Sequence, residues 1–370
     1  MRFFPGKALC YNSVQNCNLG VEELMRKWFR LIVIIFCLFL TGCSLDIKSL
    51  FVKEETPILS NLTAEALYFE GQKAKEKTKE LINSAQESIY IEQKIFADGE
   101  LKDLIIKKAA SGVQIKILLD QFQTANKSTL NEFKSHNISV QYYPAQKGQT
   151  NEVKILVVDL KEALVYSFPW TEEGFASHNL AVHLTGRSAW KLASRFNQDW
   201  LYTTTLSLDI PKTTDLEEDN ITVAVDANVK NQLLNQIKKS TNAIWLTASH
   251  ITDQEVIQAL IESANKGVDV KILLDSEIMP ANYPGTLEEF LNAGIQIRYY
   301  DSQKQPPLAI NLGLFDNSTF FFSSSGWGYR AFVMNHELSI TVPSPEASAE
   351  LIARFDRDWL SSSAELPKQE

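Results

Sequence analysis

One five-residue sequence occurs twice in this chain of 370 residues. Lys-Ile-Leu-Leu-Asp occupies positions 116–120 and recurs at 271–275, each time after Gly-Val and a helical pattern. An apolar run precedes that helical pattern in both places, at 88–91 and at 243–246, with the same spacing to the pentapeptide. A fixed spacing between several matching segments indicates that one structural unit has been duplicated. The chain is therefore expected to fold as two copies of one domain.

The order of helical and strand patterns is the same in both copies. Each copy reads helix, strand, helix, strand, helix, strand, followed by a pair of strands and a closing helix. The closing helices end in Phe196-Asn-Gln-Asp-Trp200 and in Phe355-Asp-Arg-Asp-Trp359. Strands that alternate with helices favour a largely parallel sheet with helices on both faces. The sequence thus predicts an α/β protein built by tandem duplication.

The segment 203–220 separates the two copies. It contains Pro211 and several acidic residues, and its apolar residues follow no period. These features are typical of a linker between domains. We therefore place the first repeat at 63–202, the second at 221–362, and a short tail at 363–370.

The first 43 residues carry the pattern of an export signal. From Met25 a basic stretch is followed by ten apolar residues at 31–40 and then by Thr-Gly-Cys. Ten residues are too few for a membrane-spanning helix, which needs about 20. Residues 1–42 are therefore predicted to be a signal peptide, with Met25 as the expected start of translation. An uncleaved signal anchor is the alternative.

The sequence Leu40-Thr-Gly-Cys43 resembles the lipobox of bacterial lipoproteins. That resemblance implies cleavage before Cys43 and attachment of diacylglycerol to its sulfur. Residues 43–62 then form a polar tether that holds the repeats at the extracytoplasmic face of a membrane. Ser44, which follows the cysteine, permits the outer membrane where the host has one.

Charge and cysteine content argue against two kinds of partner. The net charge is −9, and residues 1–42 hold five basic residues against two acidic ones, so the remainder carries about −12. Such a chain repels a phosphate backbone, and no nucleic acid is expected as a partner. All four cysteines precede the repeats, as Cys10, Cys17, Cys37 and Cys43. We therefore expect no disulfide, no zinc or iron–sulfur site and no cofactor in the folded part.

The two repeats resemble the phospholipase D superfamily over residues 63–362. The resemblance rests on the element order, on Lys-Ile-Leu-Leu-Asp after Gly-Val in each half, and on Phe-x-x-Asp-Trp at each end. It implies two halves that face each other across a pseudo-twofold axis, each with H-x-K-x4-D, G-S-x-N and N-x-E motifs. In that family one histidine attacks phosphorus, the other protonates the leaving oxygen, and lysines and asparagines hold the phosphate.

Both H-x-K-x4-D motifs are degenerate in this sequence. The motif positions hold Glu152, Lys154 and Asp159 in the first copy and Ala309, Asn311 and Asp316 in the second. Covalent phosphoryl transfer by this route needs a histidine that is neutral near pH 7 and a partner that donates a proton at that pH. Neither copy keeps its histidine, so the sequence favours a protein without phosphodiesterase activity.

The phosphate-binding positions downstream are only partly kept. In the G-S-x-N motifs serine remains, while asparagine is replaced by Pro169 and Gly326. Counted without a gap from the motif aspartates, the N-x-E motif reads His178-Asn-Leu180 in the first copy and Asn335-His-Glu337 in the second. The side chains predicted to contact a phosphate are Lys154, Ser167, Ser324, Asn335 and Glu337.

Several of these residues have a second interpretation. Glu152 and Lys154 lie on one strand face, where they can form a salt bridge with each other. This interpretation is favoured over one in which Glu152 is an acyl-phosphate nucleophile and Lys154 contacts an anion. Both motif aspartates follow apolar strands, where they can cap turns as readily as serve a site. His178 and His336 adjoin motif positions near the expected cleft, but attack on phosphorus needs alignment within about an ångström.

The sequence is compatible with two functions. A non-catalytic phospholipase D-like module would act as a binding or scaffold protein at the cell envelope, attached to the membrane through Cys43. Its ligand would be a phospholipid or phosphodiester, and its protein partner is not named by the sequence. An active phosphodiesterase or phosphatidyltransferase on phospholipids is the alternative. A nuclease would need a basic cleft, and the negative net charge argues against one.

Overall fold

The computed structural model describes residues 59–212, 216–278 and 284–365. The predicted signal peptide, Cys43 and most of the predicted tether lie outside these ranges, as do residues 366–370. The described residues form two sheets of seven strands, one in each repeat. The α/β tandem duplication predicted from the sequence is therefore confirmed.

The first repeat has seven strands and five α-helices among its described residues. Its strands are β1 (Leu67–Tyr68), β2 (Ser88–Gln93), β3 (Gln114–Asp120), β4 (Ser139–Tyr143), β5 (Ile155–Val158), β6 (Glu162–Tyr166) and β7 (Ala181–Thr185). Its helices are α1 (Gly71–Ser84), α2 (Gly99–Ala110), α3 (Asn126–Ser135), α4 (Glu172–Ala176) and α5 (Gly186–Thr204). A 3₁₀ turn at Ala64–Ala66 precedes β1. The sheet order is β1-β7-β6-β5-β2-β3-β4.

The second repeat follows the same plan. Its strands are β8 (Thr222–Val225), β9 (Ala243–Ala248), β10 (Asp269–Asp275), β11 (Gln296–Tyr300), β12 (Leu312–Phe315), β13 (Thr319–Ser323) and β14 (Leu338–Pro343). Its α-helices are α6 (Ala227–Lys239), α7 (Gln254–Asn265), α8 (Pro284–Asn292) and α9 (Pro345–Ser361). A π-helix at Arg330–Met334 stands where the first repeat has α4. The sheet order β11-β10-β9-β12-β13-β14-β8 matches that of the first repeat strand for strand.

Each sheet is mixed, and the prediction of a largely parallel sheet is wrong, because only two of the six strand pairings in each sheet are parallel. In the first repeat β2, β3 and β4 are parallel, because helices cross between them. Strands β5, β6 and β7 are antiparallel, and β5 also pairs antiparallel with β2. Asp159 and Leu160 have φ of 51° and 59° at the turn from β5 to β6, as a tight hairpin requires. Asp316 and Asn317 repeat this turn between β12 and β13.

The two repeats share one hydrophobic core. A single buried cluster combines residues of β5, β6, β7 and α5 with residues of β12, β13, β14 and α9. Two further clusters belong mainly to one repeat each. The halves therefore bury a joint interface, as the family resemblance implied.

The segments that reveal the duplication have packing roles. Phe196 stacks on Tyr90 at 5.2 Å between ring centroids, and Trp200 continues the stack at 6.0 Å. Lys116 of the first pentapeptide lies 5.4 Å from the centroid of the Trp200 ring. The second repeat makes the corresponding stack with Trp245, Phe355 and Trp359. These contacts fix each closing helix against its sheet.

The predicted linker is packed against the first repeat. Helix α5 ends at Thr204, so the segment 203–220 begins within the last helical turn. Trp190 Nε1 donates to Pro211 O at 2.8 Å, and Lys191 Nζ contacts Asp219 at 2.9 Å. Among the described residues, no helix is both long and apolar enough to span a bilayer.

Candidate functional site

Lys154, the cation that remains from the first motif, is enclosed by protein groups. Its Nζ donates to Glu152 O and, across the interface, to Ser324 O, both at 2.8 Å. It also lies 3.3 Å from Glu152 Oε2. Only 3% of Lys154 is exposed, and burial lowers its pKa. An ammonium group has three donors, and here all three have protein acceptors.

Glu152 occupies the position of the first motif histidine and is held between two lysines. Lys94 Nζ lies 2.7 Å from one carboxylate oxygen, and Lys154 Nζ lies 3.3 Å from the other. Burial favours the neutral acid, but the two lysines outweigh it and hold the pKa of Glu152 below its usual value. The salt bridge anticipated as the second interpretation is therefore present. An ionised carboxylate at this position repels a phosphodiester anion.

Glu337 collects three hydrogen bonds from its own repeat. Its carboxyl group accepts from the hydroxyls of Ser324 and Ser325, the latter at 2.6 Å, and from Asn335 Nδ2 at 3.1 Å. Burial and the nearby charge of Glu152 raise the pKa of Glu337 to about 7. Ser324 and Asn335, both predicted to contact a phosphate, thus donate to Glu337, the third residue of that prediction.

The second motif carries no charge at its first two positions. Asn311, which replaces the lysine, is 5% exposed, and its Oδ1 accepts from the Ser249 backbone at 3.2 Å and hydroxyl at 3.3 Å. Ala309, which replaces the histidine, donates its backbone N–H to His178 O at 2.9 Å. Ser167, the remaining phosphate candidate, accepts the Leu180 N–H at 3.0 Å and so ties two backbone segments together. Neither Asn311 nor Ala309 replaces the lost cation or proton donor.

The imidazole of His250 fills the space beside Gly326, where the family has a phosphate-binding asparagine. A Cβ atom at Gly326 would lie 2.5 Å from His250 Cε1 and 2.5 Å from Ser249 Oγ. Real Cβ atoms do not approach other atoms this closely, so a larger residue requires both the Ser249 hydroxyl and the His250 ring to move. Burial lowers the pKa of His250, which favours the neutral ring. His250 therefore takes up the volume in which an asparagine side chain would begin.

Asp159 and Asp316 cap turns at the far ends of their strands. Lys154 directly precedes β5, whereas Asp159 directly follows it. The Asp159 carboxylate accepts the backbone N–H groups of Gln86, Glu87 and Ser88, all at 2.8 Å. Asp316 does the same for residues 241–243. Of their two interpretations, the structure favours turn capping and places neither carboxylate beside Lys154.

The gap-free reading of the N-x-E motif is wrong by one residue in the first repeat. Leu180 N donates to Ser167 Oγ across 13 residues, whereas Leu338 N donates to Ser324 Oγ across 14. The extra residue lies in the π-helix Arg330–Met334, since a π turn holds one residue more than an α turn. The residues equivalent to Asn335-His-Glu337 are therefore Ser177-His-Asn179. Asn179, not Leu180, replaces the motif glutamate.

This corrected register pairs His178 with His336 across the pseudo-twofold axis. Each histidine comes from one repeat and meets the closing helix of the other. In that closing helix an aspartate contacts the imidazole, and an arginine four residues before the aspartate is paired with it. A tyrosine from the Tyr-Tyr strand of the same repeat as the helix lies against the imidazole. The first cluster consists of His336, Asp199, Arg195 and Tyr143. The second consists of His178, Asp358, Arg354 and Tyr300. Sequence reasoning missed both, although Arg-x-x-x-Asp recurs in both closing helices.

Both ring nitrogens of His178 have hydrogen-bond partners. His178 Nε2 lies 2.8 Å from Asp358 Oδ2, and Arg354 Nη2 lies 2.7 Å from His178 Nδ1. Because the arginine can only donate, Nδ1 accepts and Nε2–H donates to the carboxylate. His178 is thus committed on both nitrogens and is unsuited to attack on phosphorus.

The His336 cluster holds two further carboxylates. His336 Nδ1 donates to Asp226 Oδ1 at 2.7 Å, and Nε2 faces Asp199 at 3.3 Å and Glu92 at 3.7 Å. Burial opposes a charge on the imidazole, but Asp199 and Asp226 outweigh it and raise the pKa of His336 to about 10. Burial also raises the pKa of Glu92 to about 8. Glu92 and Asp226 gave no signal in the sequence, because neither lies in a repeated motif.

Comparison with known proteins agrees with this architecture. The family model described as cardiolipin synthase, phospholipase D-like domain, matches residues 78–200 and 233–359. A cardiolipin synthase of Clostridium perfringens (strain 13 / Type A) is 26% identical over 335 residues, covering 79% of this chain and 69% of that protein. The phosphatidylserine synthase of Haemophilus influenzae Rd KW20 superposes with a TM-score of 0.67 at 12% identity, over 84% of this chain and 90% of that one. The polyphosphate kinase of Porphyromonas gingivalis gives 0.58 at 14% identity, over 79% and 50%. These structural likenesses show the fold.

Proposed function

Because this chain belongs to the family of cardiolipin synthase, phospholipase D-like domains, we propose that it is a catalytically impaired member that binds at a membrane without cleaving or transferring phospholipids. The enclosure of Lys154 carries this proposal. A phosphate would have to displace Glu152 and the Ser324 carbonyl from the ammonium group. With glutamate and alanine at the two motif histidine positions, neither a nitrogen nucleophile nor a proton donor stands beside that lysine.

The proposed place of action is the extracytoplasmic face of a membrane, reached through a lipid on Cys43. The lipobox-like Leu40-Thr-Gly-Cys43 supports this anchor. Replacing Cys43 with alanine should block both cleavage and palmitate labelling, whereas the control Cys37→Ala should leave both intact. A palmitate-labelled protein of mature size from Cys43→Ala would contradict the anchor and leave the impaired-enzyme proposal standing.

A phospholipid headgroup or another phosphodiester is the proposed ligand class. The names of the relatives support this choice, since cardiolipin synthase and phosphatidylserine synthase both act on phospholipids by name. The same names favour the second candidate function, an active phosphodiesterase or phosphatidyltransferase. The two candidates differ in whether Lys154 takes part in turnover.

The discriminating experiment measures turnover by the full chain on phosphatidylcholine, phosphatidylglycerol and cardiolipin. Released headgroup, phosphatidic acid and newly formed cardiolipin are quantified for wild type, Lys154→Met and the matched control Lys116→Met. Lys116 lies in the same repeat but packs on Trp200, outside the motif. Absence of product from wild type supports the impaired member. Product formed by wild type and by Lys116→Met, but lost in Lys154→Met, would overturn it.

A further inference from the structure

Three buried metal-ligand side chains from both repeats meet in the interior. Glu92 at the end of β2 and Asp199 on α5 belong to the first repeat, and His336 belongs to the second. None is more than 1% exposed. The ligand atoms of these three residues all lie within 4.8 Å of one another. The three side chains lie together where the two halves meet.

Two atoms of these three side chains lack a hydrogen-bond partner among the described residues. They are His336 Nε2 and Glu92 Oε2, both buried. The 3.3 Å contact between Nε2 and Asp199 is not aligned as a hydrogen bond, so a proton on Nε2 would find no well-placed acceptor. An unpaired buried polar group is costly, and two of them in one group of metal-ligand side chains point to a missing ligand.

The surroundings orient His336 as metal-binding histidines are oriented. Nδ1 donates to the Asp226 carboxylate at 2.7 Å, which leaves the Nε2 lone pair directed at Asp199 and Glu92. Tyr143 stacks on the ring at 4.5 Å and 3°, which fixes its plane. A carboxylate on the far nitrogen of a ligating imidazole is the usual second layer of a metal site.

A divalent cation would match the charge of the cluster when its ligands are deprotonated. Glu92, Asp199 and Asp226 bring three carboxyl groups, and Arg195, paired with Asp199, brings one positive charge. Metal ligands bind in their deprotonated forms, and in those forms the three carboxylates exceed Arg195 by two negative charges. Asn151 Nδ2 donates to Glu92 Oε1 at 2.8 Å and supplies a dipole but no charge.

We propose that Glu92, Asp199 and His336 bind one divalent first-row transition-metal ion, with Zn²⁺ as the probe of choice, and that this ion joins the two repeats. Two donors about 2.1 Å from a tetrahedral metal ion lie about 3.4 Å apart. The observed separations from His336 Nε2 are 3.3 Å to Asp199 and 3.7 Å to Glu92. One imidazole and two carboxylates are ligands that zinc accepts. Because this site needs no thiol, the absence of cysteine from the repeats does not exclude it.

The pseudo-symmetric His178 cluster supplies an internal control. Thr247 stands at the position of Glu92, since both residues are the fifth of their strands and pair with the next strand in the same way. Both nitrogens of His178 already have partners. The geometry therefore assigns no metal to this second cluster.

The test uses the full chain, with its cysteines alkylated by iodoacetamide so that thiolates cannot bind zinc. After treatment with a chelator, Zn²⁺ is titrated by calorimetry into wild type, His336→Gln and His178→Gln. We expect one equivalent bound by wild type and by His178→Gln, and an affinity lower by roughly a hundredfold or more in His336→Gln. No zinc bound by wild type, or equal binding by the two variants, would overturn the proposal.

A second variant protects the test against misfolding. Glu92→Gln keeps the size of the side chain and a carbonyl oxygen for Asn151, but removes the anionic ligand. The melting temperature of stripped wild type should rise when Zn²⁺ is added, because the ion binds only the folded state. The melting temperature of Glu92→Gln should not change. An equal rise in both proteins would show that zinc binds elsewhere and would reject the site.

Discussion

The two histidine clusters at the repeat interface differ although the closing helices supply them with the same residues. Around His178, one aspartate and one arginine satisfy both ring nitrogens. Around His336, two additional carboxylates crowd the ring, and Nε2 lacks a hydrogen-bond partner among the described residues. The difference comes from Glu92 and Asp226, which lie outside the repeated motifs. Duplication thus preserved the frame of the interface while the two sides diverged in charge.

The degenerate motifs show the same asymmetry. The first repeat keeps charge at its motif, with Glu152 and Lys154 paired inside the protein. The second replaces both positions with neutral residues, and Asn311 bonds to Ser249. The family resemblance implies that catalysis needs matching groups from both halves. The paired charges in the first motif and the neutral residues in the second therefore support the proposed loss of activity.

The largest expected effect comes from removing the aspartate of each cluster. Asp199→Ala leaves Arg195 and His336 buried without their shared counterion, which should cost about 3–5 kcal/mol of unfolding free energy. Asp358→Ala removes a residue whose side chain is 13% exposed, so water can replace part of its role. Its cost should be about 1–2 kcal/mol. Urea unfolding of both variants measures the difference, and equal losses would contradict the asymmetry of the clusters.

A smaller loss of unfolding free energy is expected at Lys154 and Asn311, the two positions where the family motif has lysine. Lys154→Met leaves Glu152 buried with Lys94 alone and should cost about 3 kcal/mol. The double variant Glu152→Gln/Lys154→Met removes both charges together and should lie within about 1 kcal/mol of wild type. Asn311→Leu, the matched change in the second repeat, should cost about 1 kcal/mol. A double variant as unstable as Lys154→Met would mean that the pair is not coupled.

Sequence periodicity predicted the duplication, five of the seven strands in each repeat and the Glu152–Lys154 salt bridge, because these follow from residue spacing along one chain. It missed the strand that opens each repeat and the strand before each closing helix. It overestimated the parallel strands, because the turn at Asp159 and Leu160 forces a hairpin that apolar runs do not reveal. It misaligned the N-x-E motif of the first repeat, since a π turn adds one residue without any composition signal. Local spacing therefore predicts elements better than register.

The site itself was less predictable than the fold. The enclosure of Lys154 depends on Ser324 O from the other repeat, and a backbone carbonyl leaves no trace in the sequence. His250 fills the space beside Gly326, which requires knowing how two loops approach each other. Glu92 joins His336 only through the tertiary fold. Contacts between repeats had to come from the structure.

A difference in pH dependence should distinguish Glu337 from Asn179, its neutral equivalent in the first repeat. The pKa of Glu337 is raised from 4.5 to about 7, so the folded state holds a proton that the unfolded state has lost between these values. Its stabilising contribution is present below pH 4.5 and is lost as the pH rises through about 7. Glu337→Gln cannot titrate and should gain stability relative to wild type from about pH 5 to about pH 8. Glu80→Gln, on the exposed surface of α1, is the control. A constant difference between wild type and Glu337→Gln across this range would show that burial does not raise the pKa.

The smallest expected effect is the restoration of chemistry to the interface. Glu152→His returns a nitrogen nucleophile beside Lys154, yet Ala309 still leaves the leaving oxygen without a proton donor. Adding Ala309→His and Asn311→Lys supplies that donor and a second cation. Pro169 and Gly326 still offer no side-chain donors for the phosphate oxygens, and His250 prevents Gly326→Asn from supplying one. Each missing donor costs on the order of a hundredfold in rate.

We therefore expect trace hydrolysis of a reactive aryl phosphodiester by the triple variant Glu152→His/Ala309→His/Asn311→Lys, and none above background by Glu152→His alone. Adding Gly326→Asn should raise the rate only when Ser249→Gly and His250→Gly are also present, because the hydroxyl and the imidazole occupy the space that the asparagine needs. Release of the aryl alcohol, followed by its absorbance, measures each rate. Equal activity in wild type and in the triple variant would mean that the two motif strands do not form the functional site of this protein. A higher hydrolysis rate from Gly326→Asn without the changes at Ser249 and His250 would mean that the loop around Gly326 moves aside freely. The repeats would then differ in their motif residues but not in the space available at the motif.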